Sequence, residues 1–357
     1  MTTIPGRALH YVFKIGDRAR NAFFFRNILG MQVLRHEEFK EGCEAQCNGP
    51  YENRWSKTMI GYGPESSYFV FELTYNYGVK SYKLGNDLGG VTIQSNEVLE
   101  RARANNYAIT MENNCSVLTS PDGYKFFIIA KPQPKETDPV VNVTLHCTNL
   151  VASKKYWHEL LLMKVVEEQP KSLLLSYGDG QAVLRLLEIS KPLDRAMAYG
   201  RIAFAVPSST LPTIDERVQA AKGKILTPLI TLETPGKANV RVIILADPDG
   251  HEICFVDEEG FSLNFVCYFK TVEKMAFVKL GIYMELNDFC YVRSHNDFYT
   301  LHTKERIEIC SSNSARILSI IRNSSVLSQM GKIGPLPRLL FIVNINSSML
   351  IAQFLSL

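Results

Sequence analysis

The chain opens on alternation. In residues 9–15, LHYVFKI, the apolar positions are Leu9, Tyr11, Phe13 and Ile15, with His10, Val12 and Lys14 between them. Successive side chains of a strand point to opposite faces, so the pattern predicts a strand with one apolar and one mixed face. The same parity runs through YFVFELTYNYG, where Phe69, Phe71, Leu73 and Tyr75 alternate with Glu72, Thr74 and Asn76. Between these strands, residues 18–29 read as a helix stopped by Gly30. MQVLRHEEF and KTMIGY read as two more strands. One strand, one helix and three strands complete a unit.

The order then restarts three times. GVTIQS, a helix near 97–106 and strands ending in YKFFIIA form a second unit. VVNVTLH, a helix over 150–162, KVVEEQ, SLLLSY and AVLRLLEI form a third. RIAFAV, a helix over 211–222, ILTPLITL and VRVIILADPDGHEICFV form a fourth. Two echoes support a duplication of the first pair into the second. NAFFFRNILGMQVLRHEEF resembles SKKYWHELLLMKVVEEQ, and SPDGYKFFI resembles DPDGHEICF. The expected fold class is α+β, with four βαβββ modules forming two domains, 7–131 and 138–257, and an irregular tail over 260–357. KPQPKETDP is the linker between the halves. The first half carries an extra segment, 41–56. A curved sheet with a helix on its convex side leaves its concave side open, and pairing two units makes a cup that can take a ligand.

Composition narrows the function classes. The apolar fraction of 46% and charged fraction of 21% are those of an ordinary globular protein. A net charge of +3, from 39 basic and 36 acidic residues, argues against nucleic acid as a partner. The eight cysteines include no CxxC pair, which disfavours a zinc knuckle and suits a reducing compartment. The N-terminal residues lack the pattern of a secretory signal. The apolar stretch 339–357 is interrupted by Asn344, Asn346, Ser347, Ser348 and Gln353, so no membrane span is expected.

Parity directs His10, Lys14, Glu72 and Asn76 into one cup. Imidazole nitrogen and carboxylate oxygen suit Zn²⁺, Ni²⁺, Fe²⁺ or Mn²⁺, and His10 with Glu72 make half of a ligand set. The structural alternative is a hydrogen-bonded sheet histidine with Glu72 paired to Lys14.

The combination of LHYVFKI, FFFRNILGMQVLRHEEF, FELTYNYG, CNGPYENRWSKTM and TLETPGKANVRVIILADPDGHEICFV resembles the vicinal-oxygen-chelate superfamily. Within it, the resemblance is to glyoxalase I and the glyoxalase domain-containing protein 4 group, and it covers about residues 7–260. It implies isomerisation of the methylglyoxal–glutathione hemithioacetal to S-lactoylglutathione, with a divalent metal (Zn, Ni or Fe) as cofactor and glutathione as co-substrate. By resemblance, His10 and Glu72 fall at metal-ligand positions, while Asn76 and Lys14 fall at glutathione contacts. The other modules depart from the pattern. The corresponding positions carry Gly90 and Phe127, Asn142 and Arg185, and Arg201 and Cys254. Glu252, two residues before Cys254, is the nearest substitute for the missing proton-shuttling carboxylate. The alternative function is therefore a degenerate glyoxalase fold that binds a small ligand or a protein.

Arg185 and Arg201 are expected to point inward from neighbouring strands beside Asn142 and His146, as a carboxylate or phosphate site, unless Glu252 neutralises one of them. Cys43 and Cys47 are either redox-active or loop residues. The family's tail is, by resemblance, charged and helical. The Ser-, Asn-, Ile- and Leu-rich stretch after Glu259 is atypical, and no function is assigned to it. The expected partner is a small molecule and the expected assembly a monomer or homodimer; the resemblance implies a cytosolic location with mitochondrial association.

Overall fold

The computed structural model describes residues 4–43, 45–232 and 239–260, together with four strands of the tail. The chain divides into two units, Met1–Asn264 and Phe265–Leu357. In the second, β17 (Cys290–Arg293), β18 (Phe298–Tyr299), β19 (Leu339–Ile345) and β20 (Ser348–Phe354) pair in the order β18-β17-β19-β20. Among the described residues no helix is long and apolar enough to cross a membrane.

The first unit holds four βαβββ modules. Module one is β1 (Arg7–Lys14), α1 (Arg18–Phe23, running on as a π-helical turn, Phe24–Ile28), β2 (Gln32–Phe39), β3 (Trp55–Gly61) and β4 (Val70–Asn76). Module two is β5 (Leu88–Gln94), α2 (Asn96–Ala104), β6 (Thr110–Glu112), β7 (Cys115–Thr119) and β8 (Lys125–Ile129). Module three is β9 (Val140–Cys147), α3 (Leu150–Lys154, again with a π-helical continuation, Lys155–Leu160), β10 (Lys164–Gln169), β11 (Ser172–Ser176) and β12 (Val183–Glu188). Module four is β13 (Arg201–Val206), α4 (Leu211–Ala220), β14 (Lys224–Leu232), β15 (Val240–Ala246) and β16 (Glu252–Asp257).

The sheets cross the two halves of the sequence. β1 pairs antiparallel with β13, so modules one and four share the sheet β14-β15-β16-β13-β1-β4-β3-β2. β5 pairs with β9, so modules two and three share β10-β11-β12-β9-β5-β8-β7-β6. The convex faces supply one aromatic core. Phe126 of module two packs against Phe13 and Phe71 of module one, with ring centroids at 5.8 and 6.0 Å. Trp157 and Tyr177 of module three meet Phe204 of module four at 6.2 and 5.3 Å.

Duplication is visible in the joints as well as the strands. Arg101 of α2 donates to the carbonyls of Ile28 and Leu29, and Arg217 of α4 donates to those of Glu159 and Leu160. Each guanidinium satisfies carbonyls that a helix end leaves unpaired. The two PDG turns are clasps. Asp122 accepts from the Gly16 N–H and from Asn21, while Asp249 accepts from the N–H and hydroxyl of Thr148.

Strand parity places the predicted faces with one exception. Tyr11, Phe13 and Ile15 enter the main core, but Leu9 joins a separate cluster with Ala203, Ala205, Val242 and Val256. The β1–β13 register shifts between Ala8 and His10. A bulge of this kind puts one extra residue on one strand and breaks simple alternation. Leu9 therefore lies on the same side of the sheet as His10.

Candidate functional site

Strand register makes the four modules superimposable residue by residue. In module one, His10 pairs with Val70, and Glu72 lies two residues further along β4. In module four, Arg201 pairs with Glu252, and Cys254 lies two residues further along β16. In module three, Asn142 pairs with Val183, and Arg185 follows. In module two, Val91 pairs with Phe126, which sets Gly90 and Phe127 in the same relation. Since module one shares its sheet with module four, the first cup brings together His10, Glu72, Arg201 and Cys254. The second cup brings together Gly90, Phe127, Asn142 and Arg185.

His10 sits between two carboxylates. Its Nδ1 lies 2.5 Å from Glu65 Oε1, and its Nε2 lies 3.8 Å from Glu72 Oε2. Glu72 is buried, and its Oε1 accepts from the Thr74 hydroxyl at 3.3 Å. Glu65, fully buried in the turn between β3 and β4, is absent from any strand pattern; the only signal for it is an acidic residue between Pro64 and the aromatic run Tyr68–Phe69. A carboxylate on one imidazole nitrogen fixes the tautomer and turns the other nitrogen outward, as around many metal-bound histidines. Two donors at ~2.1 Å from one ion stand roughly 3–3.5 Å apart. His10 Nε2 and Glu72 Oε2, at 3.8 Å, stand slightly wider and would close by a small side-chain movement to take two positions of a ligand set. Of the remaining two positions, one holds the Arg201 guanidinium, which cannot ligate a cation. The other holds the Cys254 thiol, pushed by burial up to about 11, which would have to give up its proton to ligate. Among the described residues no group of three or more His, Cys, Asp or Glu side chains could hold a metal ion.

Module four fills its half of the cup with an ion-pair network. Glu252 Oε2 accepts from Arg201 at 2.8 and 3.1 Å, and Oε1 accepts from Arg195 at 2.9 Å. Arg195 stacks on the Tyr199 ring, 4.4 Å from its centroid. Lys14 is buried, donates to the Tyr199 carbonyl at 2.8 Å and lies 3.3 Å from the centre of the same ring. Desolvation lowers its amine most; the Glu252 carboxylate raises it, Arg195 and Arg201 lower it again, and it comes to about 8. Lys14 therefore contacts Tyr199, not Glu72. Asn76 is also buried. Its amide donates to the Asn48 carbonyl and Tyr82 hydroxyl and accepts from the Asn48 side chain.

The extra segment is the wall of this cup. A disulfide joins Cys43 to Cys47. The carbonyls of Ala45 and Gln46, inside that loop, accept from Arg201 at 3.0 and 3.3 Å. Gly49, at φ +82°, lies so near Lys14 that a Cβ there would stand 2.9 Å from its Cε.

One expectation needs correction. Arg185 and Arg201 do not converge from neighbouring strands. Arg185 is on β12 in the second sheet with Asn142 and His146, whereas Arg201 is on β13 in the first. Local parity assigns each arginine correctly to a concave face but does not say which modules pair. Glu252 does neutralise Arg201; it has no such role for Arg185.

Comparison with known proteins supports the modular reading. A family model described as the glyoxalase domain-containing protein 4-like C-terminal domain matches residues 149–263. Glyoxalase domain-containing protein 4 of Rattus norvegicus is 50% identical over 261 residues, which span 72% of this chain and 87% of the relative. Glyoxalase 1 of Caenorhabditis elegans is 49% identical over 261 residues, 72% of this chain and 90% of the relative. Among solved structures, glyoxalase I from Zea mays superimposes with a TM-score of 0.59 at 26% identity, covering 73% of this chain and 95% of that one.

Proposed function

Because the chain belongs to the glyoxalase domain-containing protein 4 family of the vicinal-oxygen-chelate superfamily, we propose that its first cup receives a glyoxalase-type ligand, the hemithioacetal of methylglyoxal and glutathione. The observation that carries this reading is the pair His10 Nε2 and Glu72 Oε2, held 3.8 Å apart in one cup with Glu65 behind the imidazole. These two residues would hold a divalent ion, which when bound polarises substrate oxygens. Isomerisation to S-lactoylglutathione is slow in this reading, because the proton has no well-placed carrier. Cys254 stands at the shuttle position, and Glu252 is tied to Arg195 and Arg201. Losing a positioned acid–base group removes about 10²–10⁴-fold in rate. Lys14 and Asn76 reach a glutathione carboxylate or amide only by exchanging their present contacts.

A second reading, a binding protein without turnover, is favoured by Arg201 and Cys254, which stand where the second ligand and the base would be, and by the pairing of Arg201 with Glu252. Metal analysis and a hemithioacetal isomerase assay on wild type and Glu72→Gln decide between the two. Turnover that depends on Glu72 supports the first reading. Binding of an S-substituted glutathione without turnover supports the second, and neither metal, binding nor turnover sinks both. We also propose, from the resemblance alone, a cytosolic protein with mitochondrial association, to be checked by fractionation.

A further inference from the structure

The second cup repeats the geometry of the first with the opposite charge. Arg185 holds the register position that Glu72 holds in module one, and Asn142 holds that of His10. Module two adds Gly90, which has no side chain, and Phe127, whose ring lies 2.7 Å from where a Cβ on Gly90 would be. The locus that accommodates a cation's ligands in one cup thus carries a cation in the other.

The hydrogen bonds on this concave face leave donors facing the cup. Arg185 uses Nε on the Ser172 hydroxyl at 3.0 Å, its one side-chain hydrogen bond among the described residues. Both terminal nitrogens of the guanidinium remain without a protein acceptor there. The Asn142 carbonyl oxygen accepts from the hydroxyls of Thr92 at 3.1 Å and Thr144 at 3.2 Å, and its amide nitrogen donates to no described group. Asn142, Thr144 and Ser172 are buried, and Arg185 is half-buried. No acidic side chain lies within ion-pair distance of Arg185 among the described residues. In its own row across the sheet, the nearest carboxylate is Glu167, two strands away through Leu174, and Gln169 donates to it at 2.6 Å. Arg201 shows the contrast, since it meets Glu252 and two carbonyls. A half-buried guanidinium with a free planar fork, flanked by amide and hydroxyl groups, matches the paired oxygens of a carboxylate or phosphate.

We propose that the concave face of the second sheet is a binding site for a small oxyanion, a carboxylate or phosphate group, anchored by Arg185 and assisted by Asn142. It is separate from the His10–Glu72 cup and does not depend on the function proposed for that cup.

The test is calorimetric titration of the full chain with inorganic phosphate and, separately, with acetate, in a buffer free of both. Wild type binds one equivalent of at least one anion saturably. Preference for phosphate identifies a phosphate-bearing ligand, and preference for acetate a carboxylate-bearing one. Arg185→Gln weakens binding by at least roughly tenfold. Asn142→Asp, nearly isosteric, supplies an internal counter-charge beside the guanidinium and abolishes binding even if the glutamine variant does not fold. His10→Ala leaves the affinity unchanged. Absence of saturable binding of either anion overturns the proposal, as does wild-type affinity in Asn142→Asp.

Discussion

Arg201 donates to Glu252 across paired parallel strands, Nη2 to Oε2 at 2.8 Å, at the register position where module one sets His10 beside Val70. The first cup is thus closed on one side by an ion pair instead of a second pair of metal ligands. Replacing Arg201→His together with Cys254→Glu supplies the two absent donors, while Arg195 still neutralises Glu252. The double variant is expected to bind Co²⁺ at least roughly 100-fold tighter than wild type, about 2.7 kcal/mol. Equilibrium dialysis with visible absorption reads the change. Equal affinity in the two proteins would mean that the concave positions do not converge on one ion.

Glu65 holds His10 from behind in a buried turn. Glu65→Ala removes a charge-assisted hydrogen bond and leaves the imidazole N–H short of a partner. The expected loss is about 1–3 kcal/mol of unfolding free energy, measured by urea denaturation. Glu65→Gln keeps an acceptor and is expected to lose less. An alanine variant as stable as wild type would show that the contact does not hold the histidine.

Lys14 makes stability depend on alkaline pH. Its amine titrates at about 8 in the folded protein, against an ordinary value of 10.5. Between these values the unfolded chain binds more protons than the native one, so stability rises with pH across that window. Below about pH 8 both states are protonated, and the cost of burying the ammonium is fully felt. The rise amounts to about 3 kcal/mol at most. Lys14→Met is expected to flatten that part of the curve of urea midpoint against pH. A wild-type slope in the methionine variant would assign the effect to another group.

The Cys43–Cys47 disulfide encloses the carbonyls that receive Arg201. Reduction frees a short loop whose closure is worth about 2 kcal/mol in the chain-entropy model. Dithiothreitol is therefore expected to speed amide exchange over residues 41–49 selectively, leaving the second sheet unaffected. Uniform exchange rates before and after reduction would disconnect the disulfide from the wall of the cup.

Much of this arrangement was legible because it is local. Alternation put His10, Lys14, Glu72 and Asn76 on concave faces, and the structure keeps them there. The exceptions are instructive. Leu9 turned with His10 because a bulge is set by the partner strand, β13, and leaves no trace in a single strand's pattern. Glu65 was invisible because a turn has no period to read. Arg185 and Arg201 were expected together because each module ends on an open sheet edge, and nothing in that edge states which other module will cover it. For Cys43 and Cys47, read as either redox-active or loop residues, spacing alone did not choose, and the loop brings them into bonding distance.

Nested sheets impose a timetable on the nascent chain. The inner pair, modules two and three, can complete its sheet once β12 ends at Glu188, whereas β1 must wait for β13, which begins at Arg201. At about 5–20 residues per second, that wait lasts on the order of ten seconds or more, during which β1 presents an unpaired edge. The inner sheet is then available as a finished surface against which the aromatic side chains of module one can dock. A chain cut in the linker at 131–139 would leave each half holding one module from each sheet, with neither sheet whole. His10 and Glu72, though encoded within the first quarter of the chain, face a completed cup only after module four has arrived.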